Sequence, residues 1–215
     1  DKIKNFPNKF KDKISIIPAL LRREFYNMKK NEKTNRNVDL LIIGGSQGAK
    51  SFDVIVRDSI ISLSKKYQLK IYQQTNQKNF KSLKIFYQRN KIEHELFDFN
   101  EDISVIMNKA SICLTRAGAS TLAELVFLNL PHLAIPLLTA KDNHQFENAF
   151  FYNQFGCNWI LNQNEINDTN LTNKLFNIIN NKEAYLNKMM NMKNFSYQNT
   201  WNNINQKIKF TIDEN

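Results

Sequence analysis

The chain has 215 residues, with 30 lysines and arginines against 20 aspartates and glutamates, and a formal net charge of +10. This length allows one domain with a hydrophobic core, no apolar run reaches the length of a membrane span, and the first residues do not form a signal peptide. The charge is typical of proteins with anionic partners, but a general compositional bias explains it equally well. The basic residues are scattered without a recognisable nucleic-acid module, so nucleic acid is not expected as a partner. Cys113 and Cys157 are expected to be reduced packing residues.

The first 36 residues are basic and irregular in pattern. Pro7 and Pro18 exclude a long helix, because proline lacks the backbone N–H and clashes with the preceding turn. A short strand is predicted at Lys13 to Ile17. We expect residues 1–36 to be the end of a preceding acceptor-binding unit and a linker.

The first clear strand is predicted at Val38 to Ile43, and it runs directly into the loop Gly44-Gly45-Ser46-Gln47-Gly48-Ala49. A helix is predicted from about Lys50 to Tyr67. Glycines let backbone N–H groups approach an anion, and a helix N-terminus favours negative charge, so this arrangement can cradle a phosphate. The loop is not G-x-G-x-x-G, and glycine-rich turns are common in doubly wound folds. The turn alone therefore leaves phosphate binding and a purely structural role open.

Strands and helices alternate along the rest of the chain. Further strands are predicted at Leu69 to Gln73, Ile92 to Phe97, Ile112 to Leu114, His132 to Ile135 and, at an edge, Cys157 to Leu161. Helices are predicted at Lys78 to Arg89, from a turn at Phe99 to Asp102 up to Lys109, from a cap at Ser120 and Thr121 up to Pro131, and at Gln145 to Phe155. The last of these should bury Phe146, Ala149, Phe150 and Tyr152 and end at Gly156.

This alternation predicts an α/β fold with a Rossmann-like, doubly wound, mostly parallel sheet. The core should span residues 37–162. The polar helices of residues 163–215 should pack on it.

Two polar loops are predicted to meet at one edge of this sheet. One is Arg116-Ala117-Gly118-Ala119, and the other is Lys141-Asp142-Asn143-His144-Gln145, after the next strand. In an open α/β sheet, ligands bind outside the carboxyl ends of the strands. Both loops should therefore face one site, which we interpret as a nucleotide-sugar pocket.

Several residues of these loops also have structural explanations. Thr121-x-x-Glu124 has the pattern of a capping box, in which Glu124 would bond the backbone of its own helix, and the pattern by itself favours this. Arg116 could pair with a nearby carboxylate, and His144 could be a loop or capping residue. His132 precedes a buried strand and is expected to be a packing residue.

Three motifs occur in an order and rough spacing that resemble the C-terminal half of the MurG family, over about Arg22 to Leu161. They are Gly44-Gly45-Ser46-Gln47-Gly48-Ala49, Arg116-x-Gly118-Ala119-x-Thr121-x-x-Glu124 and Asp142-Asn143-His144-Gln145-x-x-Asn148-Ala149. This family comprises the bacterial UDP-N-acetylglucosamine transferases that complete lipid II in peptidoglycan synthesis. The resemblance implies the C-terminal domain of a two-domain GT-B glycosyltransferase.

The implied reaction is the inverting transfer of N-acetylglucosamine from UDP-GlcNAc to the 4-hydroxyl of lipid I. The family's N-terminal glycine-rich motif is not found in this sequence. We therefore expect the chain to be the donor half, with no catalytic residue of its own and no activity without the acceptor domain that supplies the base. The family implies a cytoplasmic enzyme that contacts the anionic inner membrane peripherally.

The resemblance assigns roles to individual residues. Ser46 should contact the diphosphate, the region of Asn100 should place main-chain atoms against uracil, and Ala119, Ser120 and Thr121 should present N–H groups to the phosphates. Glu124 should accept hydrogen bonds from the ribose, and Gln145 should contact the sugar hydroxyls. Arg22 matches the arginine of the family's interdomain Asn-Pro-x-Arg segment, without its Asn-Pro, and should neutralise the diphosphate. Additional contacts are expected from Gly45, Gln47, Arg116, Asp142, His144 and Asn148.

No pattern of metal ligands is found in the sequence, so neither a metal nor a cofactor is expected, and UDP-GlcNAc is the expected ligand. Departure of UDP would then depend on fixed positive charge and on N–H groups. Alternative functions are the donor subunit of a split UDP-GlcNAc transferase, a non-catalytic UDP-sugar-binding domain, and a sugar-nucleotide epimerase of the same fold.

Overall fold

The computed structural model describes residues 7–28, 37–44, 51–99 and 102–213. Its strands are β1 (Val38–Ile43), β2 (Leu69–Gln74), β3 (Glu93–Phe97), β4 (Ile112–Thr115), β5 (His132–Ala134) and β6 (Trp159–Ile160). Its helices are α1 (Arg23–Asn27), α2 (Arg57–Ser64), α3 (Gln77–Arg89), α4 (Ile103–Lys109), α5 (Ala119–Phe127), α6 (His144–Gln154), α7 (Asp168–Asn180), α8 (Lys182–Ser196) and α9 (Trp201–Asp213). Residues 51–55 are also helical and precede α2 across a turn at Val56. Short 3-10 turns lie at Asn8–Lys13, Lys141–Asn143 and Gln163–Glu165.

The strands form one parallel sheet in the order β3-β2-β1-β4-β5-β6. In the central strand, Leu40 aligns with Ile71 of β2 on one side and with Ile112 of β4 on the other. The central strands β1 and β4 are almost entirely buried, as is typical of parallel strands covered by helices on both faces. The predicted α/β, doubly wound fold is confirmed, and its strand order is that of the Rossmann fold.

Successive residues of β1 enter two separate hydrophobic cores, because side chains alternate between the faces of a strand. Leu40 and Ile42 pack in the core that contains Phe52 and the α2 and α7 residues. Leu41 and Ile43 pack in the other core, which is built largely from α4, α5 and α8. The C-terminal helices therefore belong to both cores of the sheet.

The N-terminal segment 14–28 packs against α5 and α9. Phe25 is fully buried, and the Tyr26 ring contacts Phe127 at 5.5 Å between ring centroids. The predicted strand at Lys13 to Ile17 is wrong, because residues 14–22 have irregular backbone. Asn199 Nδ2 of the C-terminal region donates to the Ala19 carbonyl at 3.1 Å, so this segment bonds to side chains rather than to a neighbouring strand.

The buried face of helix α6 is narrower than predicted. Ala149 and Tyr152 are buried as predicted, but Phe150 is 41% exposed and stacks on Phe146 at 5.9 Å. Gly156 follows the helix with a φ of +68°, a left-handed conformation that glycine adopts without steric cost. Its predicted role at the helix end is confirmed.

Candidate functional site

The strand order places β1 beside β4, and the chain then proceeds to opposite sides of the sheet from these two strands. A crevice for ligands forms at such a point, outside the carboxyl ends of the two strands. Gly44 follows β1 at this edge. The predicted site residues Gly45, Ser46, Gln47 and Asn100 lie outside the described residues.

Arg116 directly follows β4 and joins the segments around the crevice. Its backbone N–H donates to the Ile43 carbonyl at 3.0 Å. Its guanidinium donates to the Ile135 carbonyl at 3.1 Å, to Gln163 Oε1 at 2.9 Å and to Ser51 Oγ at 2.6 Å. Through its bonds to the Ile43 and Ile135 carbonyls, Arg116 links the carboxyl ends of β1, β4 and β5.

The positive charge of Arg116 is buried without a carboxylate partner among the described residues. The residue is 4% exposed, its guanidinium carbon lies 4.7 Å from the centre of the Phe52 ring, and its Nε has no hydrogen-bond partner within the described ranges. Burial lowers the pKa of Arg116 from its ordinary value to about 10. The suggested pairing with a carboxylate is therefore wrong for the described part of the chain. The site instead contains a fixed cation beside the crevice.

Helix α5 begins at the same edge with an uncapped N-terminus. Its N-cap is Gly118, which has no side chain to bond the first N–H groups, and Leu122 N–H makes the bond to the Gly118 carbonyl. The predicted cap by Ser120 and Thr121 is wrong, because both lie inside the helix. Ala119 and Ser120 are exposed and Thr121 is half-buried. The first N–H groups of a helix have no intrahelical acceptor, so this turn can receive an anion.

Glu124 lies one turn further along α5 and pairs with Arg22. Arg22 Nε donates to Glu124 Oε1 at 3.0 Å. The capping-box interpretation is wrong, because Glu124 contacts Arg22 rather than the backbone of its own helix. Burial raises the pKa of Glu124 above its ordinary value, and the charge and hydrogen bond of Arg22 oppose that rise.

The second polar loop is attached to the first by two amide side chains of α6. Gln145 Oε1 accepts hydrogen bonds from Ala117 N–H at 3.3 Å and from Leu137 N–H at 3.0 Å. Asn148 Nδ2 donates to the Ala117 carbonyl at 3.1 Å. The structure therefore brings the loops after β4 and β5 together, as the sequence predicted.

The turn before α6 has an unusual backbone. Asp142 and Asn143 both have left-handed conformations, with φ of 52° and 55°. Aspartate and asparagine tolerate this region better than other non-glycine residues. Asp142 and His144 are exposed on this turn and do not take part in the Gln145 junction.

A buried polar network supports the helix that follows the glycine-rich loop. Asp53 is 4% exposed and accepts from Gln73 Nε2 at 2.8 Å, Thr75 Oγ1 at 2.7 Å and Asn79 Nδ2 at 2.7 Å. This network and the Arg116 partner Gln163 were not predicted. No local motif could have indicated them, because the partners are distant in sequence.

The part of the chain that the structure describes contains no group of three or more His, Cys, Asp or Glu able to hold a metal ion. Within the same ranges, no helix combines the length and the hydropathy needed to cross a bilayer.

Comparisons with known proteins identify relatives of this chain. The chain is 62% identical over 213 residues to the UDP-N-acetylglucosamine--N-acetylmuramyl-(pentapeptide) pyrophosphoryl-undecaprenol N-acetylglucosamine transferase of Pelagibacter ubique (strain HTCC1062). The match covers 99% of this chain and 60% of that relative, so the chain spans about 60% of the relative's length.

Two solved structures are similar in fold. Acinetobacter baumannii MurG has a TM-score of 0.65 at 23% identity, over 81% of this chain and 49% of that chain. The UDP-GlcNAc 2-epimerase of Neisseria meningitidis, bound to UDP-GlcNAc, has a TM-score of 0.59 at 20% identity, over 85% of this chain and 45% of that chain. At these identities the likeness establishes the fold, which is that of the C-terminal domain of GT-B glycosyltransferases.

The sequence profile named "Glycosyltransferase family 28 C-terminal domain" matches residues 39–204. The matched range begins in β1, ends in α9 and includes both polar loops of the crevice. The chain therefore belongs to the glycosyltransferase family 28 C-terminal domain family.

Proposed function

We propose that this chain is the donor-binding half of an enzyme that transfers N-acetylglucosamine from UDP-GlcNAc to the 4-hydroxyl of lipid I, with inversion at the anomeric carbon. The observation that carries the proposal is the 62% identity to the Pelagibacter ubique transferase, which extends over 99% of this chain. The likeness to an epimerase is confined to the fold, whereas the likeness to the transferase is one of sequence. The transferase is therefore the better-supported function.

The geometry of the crevice supports a diphosphate between Arg116 and the start of α5. The uncapped N–H groups of Ala119, Ser120 and Thr121 can donate to phosphate oxygens, and the helix dipole favours the negative charge. The buried cation of Arg116 lies at the start of the same loop. Ser46, in the glycine-rich loop after β1, is proposed as a further diphosphate contact, and Asn100 as a main-chain contact to uracil.

The nucleoside and the sugar are proposed to use different residues. The ionised carboxylate of Glu124 can accept hydrogen bonds from the two ribose hydroxyls. Gln145 uses its Oε1 to hold Ala117 and Leu137, which leaves its amide N–H₂ group as a donor toward the sugar hydroxyls. Asp142, His144 and Asn148 lie at or near the same turn and are proposed as additional contacts. Gly45 and Gln47 are proposed to line the phosphates.

In this reaction, the acceptor hydroxyl attacks the anomeric carbon from the face opposite to UDP, loses its proton to a base, and the bond to the diphosphate breaks. Negative charge increases on the leaving diphosphate in the transition state. Preorganised N–H groups and a fixed cation stabilise such charge without any reorganisation, and losing one such donor typically costs about 3 kcal/mol. We propose that this chain supplies that stabilisation without a metal ion. The match covers 60% of the relative, and the base and the acceptor site would come from a part of the protein that corresponds to the rest of the relative.

The lipid-linked acceptor implies that the complete enzyme works at the cytoplasmic face of the inner membrane. The formal charge of +10 favours peripheral attraction to an anionic surface. Cosedimentation of the chain with vesicles of phosphatidylglycerol, compared with vesicles of phosphatidylcholine, measures this attraction.

Calorimetric titration of the chain with UDP-GlcNAc, UDP-glucose and UDP tests the donor site. We expect UDP-GlcNAc and UDP to bind and UDP-glucose to bind more weakly than UDP-GlcNAc. Glu124→Gln should weaken all three, whereas Glu183→Gln, which removes an exposed charge from α8, should not. Absence of UDP binding to the unaltered chain would contradict the proposal.

Transfer itself is tested by adding the acceptor half of the Pelagibacter ubique relative and a lipid I analogue. We expect formation of the disaccharide product only when both halves are present. Binding of UDP-GlcNAc without transfer under these conditions would support a non-catalytic UDP-sugar-binding domain instead.

A further inference from the structure

A cavity of about 420 Å³ lies at the C-terminal end of α5, at the opposite end of that helix from the crevice. Phe127 lies in its wall and follows Ala119, the first residue of α5, by eight positions. A helix rises about 1.5 Å per residue, so about 12 Å of helix axis separates the cavity from the first turn of α5. Among the described residues, none of those proposed for the donor site lines this cavity. Its volume is within the range of about 300–1,000 Å³ that is typical of small-molecule sites.

The inner wall of the cavity is aromatic and held in place. The Tyr26 ring lies 5.5 Å from the Phe127 ring and 5.9 Å from the Trp201 ring, measured between centroids. The Tyr26 hydroxyl accepts a hydrogen bond from Leu21 N–H at 3.2 Å and donates one to Asn199 Oδ1 at 3.2 Å. Ring contacts and hydrogen bonds therefore fix Tyr26 at both ends, and this wall is already formed without a ligand.

Two large aromatic side chains of the cavity are open to water. Trp201 is 53% exposed and Tyr197 is 69% exposed. The face of an aromatic ring carries negative charge density and attracts weakly positive C–H groups. A pyranose ring has such C–H groups on its face and hydroxyls around its edge. The exposed rings are therefore suited to stacking against a saccharide.

The polar groups of the cavity suit the edge of a saccharide. Asn27 and Asn202 are exposed, and neither side-chain amide bonds to another residue in the described ranges. An amide both donates and accepts hydrogen bonds, as a sugar hydroxyl does. Lys193 is exposed, is the one charged side chain among the described residues that line the cavity, and makes no ion pair with them. This charge favours an anionic ligand and disfavours the ammonium groups that aromatic cages otherwise bind.

We propose that this cavity is a second binding site, for an acidic saccharide whose hexose ring carries a carboxylate. The ring stacks on Trp201, its hydroxyls bond to the amides of Asn27 and Asn202, and its carboxylate lies against Lys193. This site is separate from the proposed donor site and does not depend on UDP-GlcNAc binding.

Three probes of similar size test the chemistry of the ligand by calorimetric titration of the chain. Methyl glucuronide has the ring, the hydroxyls and the charge; methyl glucoside lacks the charge; cyclohexanecarboxylate lacks the hydroxyls. We expect the glucuronide to bind more tightly than either of the other two. Failure of the glucuronide to bind would overturn the inference, and so would equal affinity for cyclohexanecarboxylate, which would indicate a site for apolar acids.

Tryptophan fluorescence tests where the glucuronide binds. The chain has 2 tryptophans, so Trp159→Phe leaves Trp201 as the only one, and its emission should change as the glucuronide binds. Calorimetry should show that Trp201→Ala weakens the glucuronide at least about fivefold. Phe210→Ala is the matched control, because Phe210 is an exposed aromatic residue of the same helix outside this cavity, and it should retain the affinity. Unaltered affinity in Trp201→Ala would overturn the inference.

The role of the charge and the independence of the two sites are tested together. Lys193→Gln should weaken the glucuronide about threefold and leave the glucoside unchanged, whereas Lys182→Gln, which removes an exposed charge from the start of the same helix, should affect neither. The glucuronide should bind equally well in the presence of saturating UDP. Competition between the two ligands would overturn the inference, because it would place the glucuronide in the crevice.

Discussion

Replacing Arg116 by methionine should separate nucleotide binding from stability. Methionine has a similar length but no charge, so it removes the buried cation and its three side-chain hydrogen bonds to Ile135, Gln163 and Ser51. A residue that is only 4% exposed would normally be expected to contribute strongly to the fold. Here we expect opposing effects of similar size.

The magnitude follows from the contacts. The pKa of Arg116 falls to about 10 because its charge is buried, which corresponds to a cost on the order of 3 kcal/mol to the folded state at about 1.4 kcal/mol per pH unit. Methionine removes this cost but leaves the Ile135 carbonyl and the other acceptors without their donor, at about 1–3 kcal/mol for each buried acceptor. Because Gln163 is only half-buried, it can turn to water. The free energy of unfolding should therefore change by less than about 2 kcal/mol.

The nucleotide affinity should respond much more strongly. Loss of a fixed cation beside the proposed diphosphate site should weaken UDP binding at least about tenfold, by analogy with charge-assisted hydrogen bonds. Urea unfolding and calorimetric titration of the same preparation measure the two quantities. Leu114→Ala is the matched control, because Leu114 is fully buried in β4, the strand that Arg116 follows, and its truncation should cost about 2–5 kcal/mol. Unaltered UDP affinity in Arg116→Met, or a destabilisation as large as that of Leu114→Ala, would refute this reasoning.

Three further changes test other parts of the structure. His132 donates from Nδ1 to the Leu130 carbonyl and is fully buried, and this burial lowers its pKa from 6.5 to about 4. As the pH falls, the unfolded chain therefore takes up a proton before the folded chain does. Urea unfolding should show that the free energy of unfolding falls by about 2 kcal/mol between pH 8 and pH 5, and His132→Gln should abolish this loss. Gln145→Glu retains an acceptor for the Ala117 and Leu137 N–H groups but removes the amide donor. Calorimetry should therefore show a larger loss of affinity for UDP-GlcNAc than for UDP, and equal losses would exclude the sugar contact. Gly156→Ala places a Cβ 2.4 Å from Asn191 Nδ2 at a φ of +68°, so thermal unfolding should show a destabilisation of about 1–3 kcal/mol. Asn191→Ala should partly relieve this destabilisation, and full additivity of the two changes would contradict the steric explanation.

The sheet could be predicted from the sequence because its central strands are short apolar runs bounded by turn residues. Val38–Ile43 is buried almost throughout and needs only this pattern to be recognised. Lys13 to Ile17 has a similar composition, but Ser15 and Ile16 bond to the side chains of Thr211 and Lys207 in the C-terminal region rather than to another strand. Local pattern does not reveal which surface a segment will meet, so that prediction failed.

Site contacts between residues that are close in the sequence could be predicted, whereas contacts between residues that are far apart in the sequence could not. The two loops around Ala117 and Gln145 could be placed at one edge, because parallel strands present their carboxyl ends together. The pairing of Glu124 with Arg22 spans 102 residues, and the bond from Arg116 to Gln163 spans 47. A capping box is the expected outcome for Glu124 only when no remote cation competes for the carboxylate.

The junction at Gln145 has a consequence for inhibitors of this class of site. Gln145 Oε1 accepts hydrogen bonds from the loops that follow β4 and β5, so these two loops and the beginning of α6 are held in fixed positions relative to one another. A compound whose substituent displaced that oxygen would release two backbone N–H groups at once. If the crevice binds a nucleotide sugar as proposed, compounds with bulky extensions toward Gln145 should lose affinity abruptly, whereas compounds that keep the amide in place can vary more freely.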